Sequence, residues 1–316
     1  MALKIWSNVN YDDATLALLR AGTTEYELVC VRGGDTAEAF LAEADILLGQ
    51  PPVELFARAA RLRWLHVDSA GYERYDHAEV RAALQQRGIA FSNSSSVFDE
   101  PCAQHVLAMM LSLARRIPHS VTNQDGGRAW PMAELRAQAY LLNGQTALLL
   151  GYGAIARRLV ELLTPLHLKL IAVRRQPTGD EAIPVITAAA LPQYLPQADH
   201  LINILPANAA TRQFVNAERL QALKPGALFY NIGRGSTVDQ AALLAALQSN
   251  HLAAAYLDVT DPEPLPPDHP LWSAPNCFIT PHTGGGHIGE RARQVRHFLE
   301  NLRRFNAGES LLDHIV

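Results

Sequence analysis

The most informative segment of this 316-residue chain is Gly151-Tyr152-Gly153-Ala154-Ile155-Ala156. The apolar run Thr146–Leu150 before it predicts a buried strand, and Ala154–Leu166 after it predicts a helix. The first glycine allows a tight turn, the second lets the backbone approach a pyrophosphate, and the small Ala156 lets the helix pack on the strand. Free N–H groups and the helix dipole favour anions at such a helix N-terminus. The candidate dinucleotide-binding residues here are Gly151, Tyr152, Gly153, Ala154 and Ile155.

Strand and helix patterns alternate on both sides of this segment. Short apolar runs predict further strands at Leu3–Trp6, Tyr26–Val31, Ile46–Leu48, Trp64–Val67, Ile89–Ser92, Leu168–Val173, Leu201–Leu205, Ala227–Asn231, Ala253–Leu257 and Cys277–Thr280. Helices are predicted at Asp13–Ala21, Glu79–Gln86, Glu100–Arg116 and Glu290–Asn306. This alternation is typical of parallel sheets with helices on both faces. The predicted fold class is therefore α/β, with two doubly wound parallel-sheet domains.

Composition narrows the range of partners and compartments. With 27 basic and 31 acidic residues the net charge is −4, so we expect no nucleic-acid partner. The longest apolar runs, such as Val106–Leu111, are far shorter than the ~18–20 residues that span a bilayer, so we expect no membrane partner. The three cysteines lie far apart without a CxxC pair, which argues against a disulfide scaffold and a cysteine metal site. We predict a cytoplasmic protein with no metal.

The end of the strand after the glycine segment bears on the type of dinucleotide. An NAD site usually has an acidic residue about 20 positions on, but here the strand ends in Arg174-Arg175. The nearest acids, Asp180 and Glu181, follow Gly179 in a predicted loop. Because a guanidinium pair suits a 2′-phosphate, we predict that NADP(H) is preferred and that NAD(H) is possible.

Four further segments follow predicted strands, where open α/β sheets bind ligands. These segments are Ser69-Ala70-Gly71-Tyr72, Asn231-Ile232-Gly233-Arg234-Gly235, Asp258–Leu265 and Thr280-Pro281-His282-Thr283-Gly284-Gly285. Together and in this order they resemble the D-isomer-specific 2-hydroxyacid dehydrogenase family, and the resemblance covers nearly the whole chain. The stretch Phe98–Pro101 with the Arg-Arg strand end is similar to the glyoxylate/hydroxypyruvate reductase branch.

The resemblance implies an enzyme that reduces a small 2-oxo acid, such as glyoxylate or hydroxypyruvate, to the D-2-hydroxy acid with NADPH. It implies an NAD(P)-binding Rossmann domain at residues 101–284. A discontinuous, flavodoxin-like substrate-binding domain would comprise residues 1–100 and 285–316, with the active site in the cleft between the domains. The stretch Ile117–Leu142 matches the family's dimer-contact arm, which implies a homodimer.

The residue types fit this chemistry. Arg234 offers the substrate carboxylate a positive fork, and the backbone N–H groups of Ala70 and Gly71 offer it donors. Hydride attack on a ketone makes an alkoxide, which a protonated His282 would neutralise while Glu263 holds the imidazolium. The family assigns its catalytic arginine, glutamate and histidine to the positions of these three residues. The resemblance also assigns cofactor contacts to Leu205, Pro206, Thr211, Ile232, Arg234 and Asp258, and substrate contacts to Arg234 and His282.

Some residues depart from the family pattern or are interpreted as structural. Gln104 stands where the family usually has glutamate, and Gly284-Gly285-Gly286 leaves room for a bulkier substrate. His105, on an apolar helix, is interpreted as a packed residue, and His66 as a core residue. Trp130 and Trp272 are interpreted as packing or interface residues, although Trp272 could line the pocket.

Three alternatives stay open at this point. One is another dehydrogenase of the same family, of the D-lactate or phosphoglycerate type; Arg74 is the only basic residue in the loop Ser69–Asp76, which disfavours a phosphorylated substrate. Formate dehydrogenase is less favoured, because its relatives carry glutamine where Glu263 stands. The third is a dinucleotide-sensing, corepressor-like binding protein.

Overall fold

A computed structural model describes residues 2–31 and 38–316. The chain divides into two compact units: a first unit formed by Met1–Phe98 with Gly286–Val316, and a second unit formed by Asp99–Gly285. Within the described ranges, no helix is long and apolar enough to cross a membrane. The cytoplasmic location stays a prediction.

The first unit is built around a parallel sheet. Its strands are β1 (Lys4–Ser7), β2 (Glu27–Cys30), β3 (Ile46–Leu48), β4 (Trp64–His66) and β5 (Ala90–Ser92). Its helices are α1 (Asp13–Gly22), α2 (Glu38–Ala42), α3 (Leu55–Arg58), α4 (Ala78–Gln86) and, from the C-terminal segment, α11 (Glu290–Ala307). Among the described residues the strand order is β2-β1-β3-β4-β5, the order of flavodoxin-like sheets.

Both faces of this sheet are covered. Leu47 of β3 belongs to a core cluster that includes residues of α3 and α4, whereas its neighbours Ile46 and Leu48 belong to a second cluster with residues of α1 and α11. Successive strand residues point to opposite faces, so a strand that is apolar throughout must be buried on both sides. The first unit is therefore doubly wound.

The second unit holds a larger parallel sheet. Its strands are β6 (Thr146–Leu150), β7 (Lys169–Val173), β8 (Val185–Ile186), β9 (His200–Asn203), β10 (Ala227–Asn231), β11 (Leu252–Leu257) and β12 (Cys277–Ile279). Its helices are α5 (Asp99–Ala114), α6 (Ile117–Asp125), α7 (Met132–Gln138), α8 (Ala154–Leu163), α9 (Ala217–Gln221) and α10 (Gln240–Gln248). In residues 99–285, all of which are described, the order is β12-β11-β10-β9-β6-β7-β8.

This order contains the dinucleotide-binding arrangement. Strand β6 is central, β7 and β8 lie on one side, and β9 to β12 lie on the other, so the winding reverses between β6 and β9. Ligands bind such sheets at the carboxyl ends of the strands beside this reversal. The predicted fold class, two doubly wound parallel-sheet domains, is confirmed.

Some predicted boundaries differ from the observed ones. The helix predicted at Ala154–Leu166 ends at Leu163 and continues as a 3₁₀ turn, because Pro165 has no N–H to donate to the preceding turn. The strand predicted at Leu201–Leu205 lies at His200–Asn203. It begins with a polar residue because the His200 ring is hydrogen-bonded inside the sheet, 2.7 Å from Gln145 Oε1.

Candidate active site

Two glycines fix the turn that follows β10. A Cβ atom at Gly233 would lie 2.6 Å from the carbonyl oxygen of Leu205, and one at Gly235 would overlap the carbonyl group of Thr260. Only glycine can occupy these positions without moving the neighbouring backbone. The turn after β10 is therefore packed directly on the turns after β9 and β11.

Arg234 lies between these two glycines and is half-buried. Its Nη1 donates to the Gly233 carbonyl at 2.8 Å. Its own carbonyl accepts from Asn231 Nδ2 at 3.2 Å and from Thr237 Oγ1 at 2.6 Å. Asn231 is itself held by Asn203, whose Nδ2 lies 2.9 Å from Asn231 Oδ1 in the buried interior. The backbone of Arg234 is thus fixed from the core side, a function that the sequence analysis did not assign to Asn231 or Asn203.

His282 and Glu263 form the central pair of the site. His282 Nδ1 lies 2.8 Å from Glu263 Oε2, and both side chains are partly exposed, at 52% and 38%. The other carboxylate oxygen of Glu263 accepts from the Thr260 N–H at 3.0 Å. His282 has a left-handed backbone (φ 53°), and its N–H donates to the Asp258 carbonyl at 2.9 Å. The structure therefore brings together the predicted acid and its carboxylate partner on two anchored turns.

Asp258 is buried beneath this pair and organises the turn that bears His282. Its carboxylate accepts from the N–H groups of Thr283 and Gly284, at 2.9 and 3.0 Å, and from the Thr280 hydroxyl at 2.6 Å. A Cβ at Gly284 would lie 2.7 Å from Asp258 Oδ2. Gly284 is needed here so that the backbone can approach the carboxylate, a reason for this glycine that the sequence analysis did not find.

His105, which the sequence interprets as a packed residue, lies in a group of polar residues around Asp258. His105 Nε2, on α5, contacts the Tyr256 hydroxyl and lies 3.2 Å from Thr280 Oγ1 and 3.6 Å from Asp258 Oδ1. The Tyr256 hydroxyl lies 2.7 Å from Thr280 Oγ1. The signal that could have revealed this contact is a histidine in an otherwise apolar helix segment.

The pair of His282 and Glu263 opens on a pocket of about 380 Å³. Its other walls are mostly apolar, formed by Pro264, Leu265, Trp272, Ile279 and Pro281. Trp272 is held by a hydrogen bond from its Nε1 to the Pro266 carbonyl at 3.0 Å. The imidazole and the carboxylate are therefore the ionisable pair at the edge of a largely apolar pocket.

The glycine segment after β6 has room for a bound group. Gly151 adopts φ +106° and its N–H donates to the Val173 carbonyl, so the chain turns tightly as expected for the first glycine. A Cβ at Gly153 would meet no atom within 4 Å. Gly153 precedes the first turn of α8 and no side chain caps this helix, while Ala156 is fully buried. Open space against uncapped N–H groups fits a dinucleotide pyrophosphate; Tyr152, Ala154 and Ile155 complete this turn and helix start.

The two arginines at the end of β7 have different surroundings. Arg174 Nη1 lies 3.3 Å from Glu181 Oε1, while Arg175 is exposed and has no ion pair among the described residues. Glu181 also accepts from the Thr178 N–H at 2.7 Å and the Gly179 N–H at 2.8 Å. The Thr178 N–H is the main cause that lowers the pKa of Glu181 to about 2. The carboxylate of Glu181 is therefore engaged in hydrogen bonds within its own loop.

The remaining cofactor candidates lie at the carboxyl ends of β9 and β10. The Thr211 hydroxyl donates to the Pro206 carbonyl at 2.6 Å, which closes the loop that begins at Leu205. Leu205 is partly buried against the core, and Ile232 is 6% exposed. Residues Leu205 and Pro206 follow β9, the strand next to the winding reversal, and so belong to the expected dinucleotide edge.

The predicted substrate loop lies in the first unit, at the carboxyl end of β4. Three of its carbonyls accept hydrogen bonds: the Ser69 carbonyl from the Ser94 N–H at 3.1 Å, the Ala70 carbonyl from Asn93 Nδ2 at 2.7 Å, and the Gly71 carbonyl from Ser69 Oγ at 2.5 Å. Within the described ranges, the N–H groups of Ala70 and Gly71 have no acceptor. The loop therefore presents two adjacent backbone donors.

Comparison with known proteins identifies the family. Residues 107–284 match the model of the D-isomer specific 2-hydroxyacid dehydrogenase, NAD binding domain. A protein of Corynebacterium melassecola described as uncharacterized, in the proB 3′ region, is 34% identical over 74% of this chain and 78% of its own length. The human glyoxylate reductase/hydroxypyruvate reductase is 31% identical over 73% of this chain and 70% of its own length.

A solved structure agrees with these relatives. The NADPH-dependent glyoxylate/hydroxypyruvate reductase of Sinorhizobium meliloti, in complex with NADP and malonate, superposes with a TM-score of 0.76. It is 26% identical and covers 100% of this chain and 97% of that chain. The expectation drawn from the sequence segments is confirmed: the chain belongs to the D-isomer specific 2-hydroxyacid dehydrogenase family of NAD(P)-dependent oxidoreductases.

Proposed function

We propose that the protein reduces a small 2-oxo acid, of the glyoxylate or hydroxypyruvate class, to the D-2-hydroxy acid with NADPH. The observation that carries the proposal is the 2.8 Å contact between His282 Nδ1 and Glu263 Oε2 beside a pocket. The names of the human and Sinorhizobium relatives support the substrate class.

His282 is the proton donor of this reaction. When bound, the dihydronicotinamide supplies a hydride to the carbonyl carbon. The carbonyl oxygen then gains negative charge and needs a proton. Because Glu263 engages Nδ1, the proton passes from His282 Nε2. The Glu263 carboxylate orients the ring and stabilises the imidazolium before transfer.

Arg234 would bind the carboxylate of the substrate. A planar guanidinium can bind a carboxylate through two parallel hydrogen bonds. The paired N–H groups of Ala70 and Gly71 are separate candidates for binding an anionic substrate, because no group among the described residues accepts from them. Asp258 and Ile232 would contact the nicotinamide end of the cofactor, and Leu205, Pro206 and Thr211 its adenosine side.

The preference for NADPH would come mainly from Arg175. Glu181 already neutralises Arg174 in part, whereas the exposed guanidinium of Arg175 can bind a 2′-phosphate. We expect Arg175→Ala to reduce the ratio of kcat/KM with NADPH to kcat/KM with NADH more than Arg174→Ala does, and the double variant to abolish the preference. A wild type that already prefers NADH would contradict this proposal.

The function is tested with a panel of 2-oxo acids and both reduced nucleotides. We expect turnover with glyoxylate or hydroxypyruvate, fastest with NADPH, and chiral analysis of the hydroxypyruvate product should give the D isomer. Fastest turnover of pyruvate or of a phosphorylated acid would instead support a D-lactate or phosphoglycerate type of enzyme. Nucleotide binding without turnover of any acid would favour a dinucleotide-sensing binding protein.

A homodimer is also proposed, from the surface of residues 117–142. This stretch exposes Ile117, Val121, Trp130 and Met132, the tryptophan at 90%, and Trp130 and Met132 line a hollow of about 630 Å³. Such apolar exposure is typical of a protein interface. Sedimentation should give twice the chain mass of 34.6 kDa, and Trp130→Asp should lower it.

A further inference from the structure

A chain of polar groups runs inside the second unit beneath the turn that bears His282. Tyr256 is fully buried, Asp258 is 3% exposed, and the His105 side chain is 24% exposed. Their polar atoms meet at Thr280 Oγ1, which lies 2.7 Å from the Tyr256 hydroxyl, 3.2 Å from His105 Nε2 and 2.6 Å from Asp258 Oδ1. The cluster joins α5, β11 and the segment after β12.

The number of protons on each group fixes which atom donates and which accepts in each hydrogen bond of this cluster. The Asp258 carboxylate can only accept, so the single hydroxyl proton of Thr280 points to it. Thr280 can then only accept from Tyr256, whose own proton is thereby used. The Tyr256 oxygen is left as an acceptor, so the His105 Nε2 that contacts it must carry a proton. In this arrangement alone, the contacts from His105 to Tyr256, from Tyr256 to Thr280 and from Thr280 to Asp258 each have one donor and one acceptor.

We propose that His105 is a positioning residue for the reduction, acting through Tyr256 and Thr280 on Asp258. Asp258 in turn accepts hydrogen bonds from the N–H groups of Thr283 and Gly284, and these hydrogen bonds hold the turn around His282. Buried chains of hydrogen bonds polarise one another and specify one arrangement. The consequence for catalysis rests on the proposed function of His282. The assignment of donors and acceptors in the hydrogen-bonded cluster does not.

The first experiment observes the histidine directly. Two-dimensional ¹H–¹⁵N spectra of the ring nitrogens, assigned by comparison with His105→Gln, report which nitrogen carries the proton. We expect a protonated Nε2 on His105 in the wild type. A His105 ring with an unprotonated Nε2 would overturn the proposal, whatever the enzyme turns over.

The second experiment measures kcat and KM in matched variants. Tyr256→Phe removes the central hydroxyl, and Tyr230→Phe is the control, because Tyr230 is also fully buried and contacts a histidine, with its hydroxyl 3.2 Å from His200 Nδ1. We expect Tyr256→Phe to lower kcat about tenfold, with the KM for the 2-oxo acid within about twofold, since displacement of His282 affects the chemical step. Equal kcat values for the two variants would refute the positioning role.

Two substitutions of His105 complete the test. His105→Gln keeps an N–H donor within reach of the Tyr256 hydroxyl, whereas His105→Leu removes it. We expect His105→Gln to retain kcat within about threefold and His105→Leu to match Tyr256→Phe. If both fall equally, or if neither falls, the donor is irrelevant and the proposal fails. A wild type without 2-oxo acid turnover would refute the proposed function and leave the ring-nitrogen spectra to decide the hydrogen-bond chain.

Discussion

The two sheets of this protein share one architecture but carry different chemistry at the carboxyl ends of their strands. In the second unit these ends bear ionisable side chains, Arg234, Asp258, Glu263 and His282, on turns fixed by glycine. In the first unit they bear mostly amides and hydroxyls, several of which donate to backbone carbonyls. Among the described residues, the amide and hydroxyl side chains are those of Asn8, Gln50, Ser69 and Asn93. The carboxylate of Asp68 also lies there and is paired with Arg291 at 3.3 Å.

This difference shows that a doubly wound sheet specifies where a ligand edge forms and not which groups stand there. In the proposed function, the second unit moves protons and binds anions through charge. The first unit is equipped to aim uncharged backbone donors. Substitutions that remove a charge in the second unit should therefore strongly lower the rate of 2-oxo acid reduction. Substitutions of the uncharged residues in the first unit should mainly change the affinity for the 2-oxo acid.

The largest effect is expected for His282→Ala. Loss of a positioned proton donor lowers rates by about 10²–10⁴-fold, and kcat for 2-oxo acid reduction should fall within this range. NADPH binding, measured by fluorescence titration, should stay intact because the glycine segment is unaffected. An unchanged kcat would show that the second unit does not supply the proton.

The next largest effect is expected for Arg234→Ala. Truncation of one partner of a buried charge pair costs about 2–5 kcal/mol, so kcat/KM for 2-oxo acids should fall at least about 30-fold. Arg234→Lys retains the charge without the planar fork and should recover only part of this loss. An effect under about tenfold for Arg234→Ala would count against carboxylate binding by this residue.

The pH dependence of stability should reveal a feature that the two sheets share, because each sheet buries one neutral histidine. Burial lowers the pKa of His200 to about 4 and lowers that of His66 well below its usual range. The unfolded chain therefore takes up protons that the folded chain does not, and stability is lost as pH falls from 6.5 toward 4. At pH 5 we expect His200 alone to lower the free energy of unfolding by about 2 kcal/mol relative to pH 7.

Urea denaturation between pH 7 and pH 5 measures this loss. His200→Gln and His66→Gln should each flatten the pH dependence, and the double variant should flatten it most. Variants that lose stability as steeply as the wild type over this range would show that neither histidine is kept neutral by burial.

The smallest effect is expected for Asn93→Ala in the first unit. It removes the amide that bonds the Ala70 carbonyl, a contact of 2.7 Å worth about 1 kcal/mol. We expect KM for the 2-oxo acid to rise several-fold with little change in kcat. A loss of kcat as large as that of His282→Ala would contradict the division of tasks between the two units.

The sequence predicted all five described strands of the first unit and every strand of the second unit except β8, but it placed most of the candidate site residues in the second unit, for a physical reason. Its strands are nearly continuous apolar runs, and the reactive residues follow them in short segments with glycine, so fold class and candidates are readable from local patterns. The proximity of Glu263 to His282 was expected and is observed, while the catalytic roles stay predictions.

Contacts between distant segments could not be predicted in this way. The link from His105 to Thr280 spans 175 positions, and the one from Asn93 to Ala70 spans 23. Neither leaves a local periodic pattern, and only the packing of α5 or the pairing of β4 with β5 brings the partners together. A neutral side chain that binds a carbonyl looks the same in sequence as any loop residue.

The contact of Gly235 with the Thr260 carbonyl has a practical consequence for enzyme engineering. The segment that bears the guanidinium and the segment that bears the glutamate are wedged backbone to backbone, so neither can be lengthened or reshaped alone. Libraries that aim at new substrates should leave both segments intact, or exchange them together as one cassette.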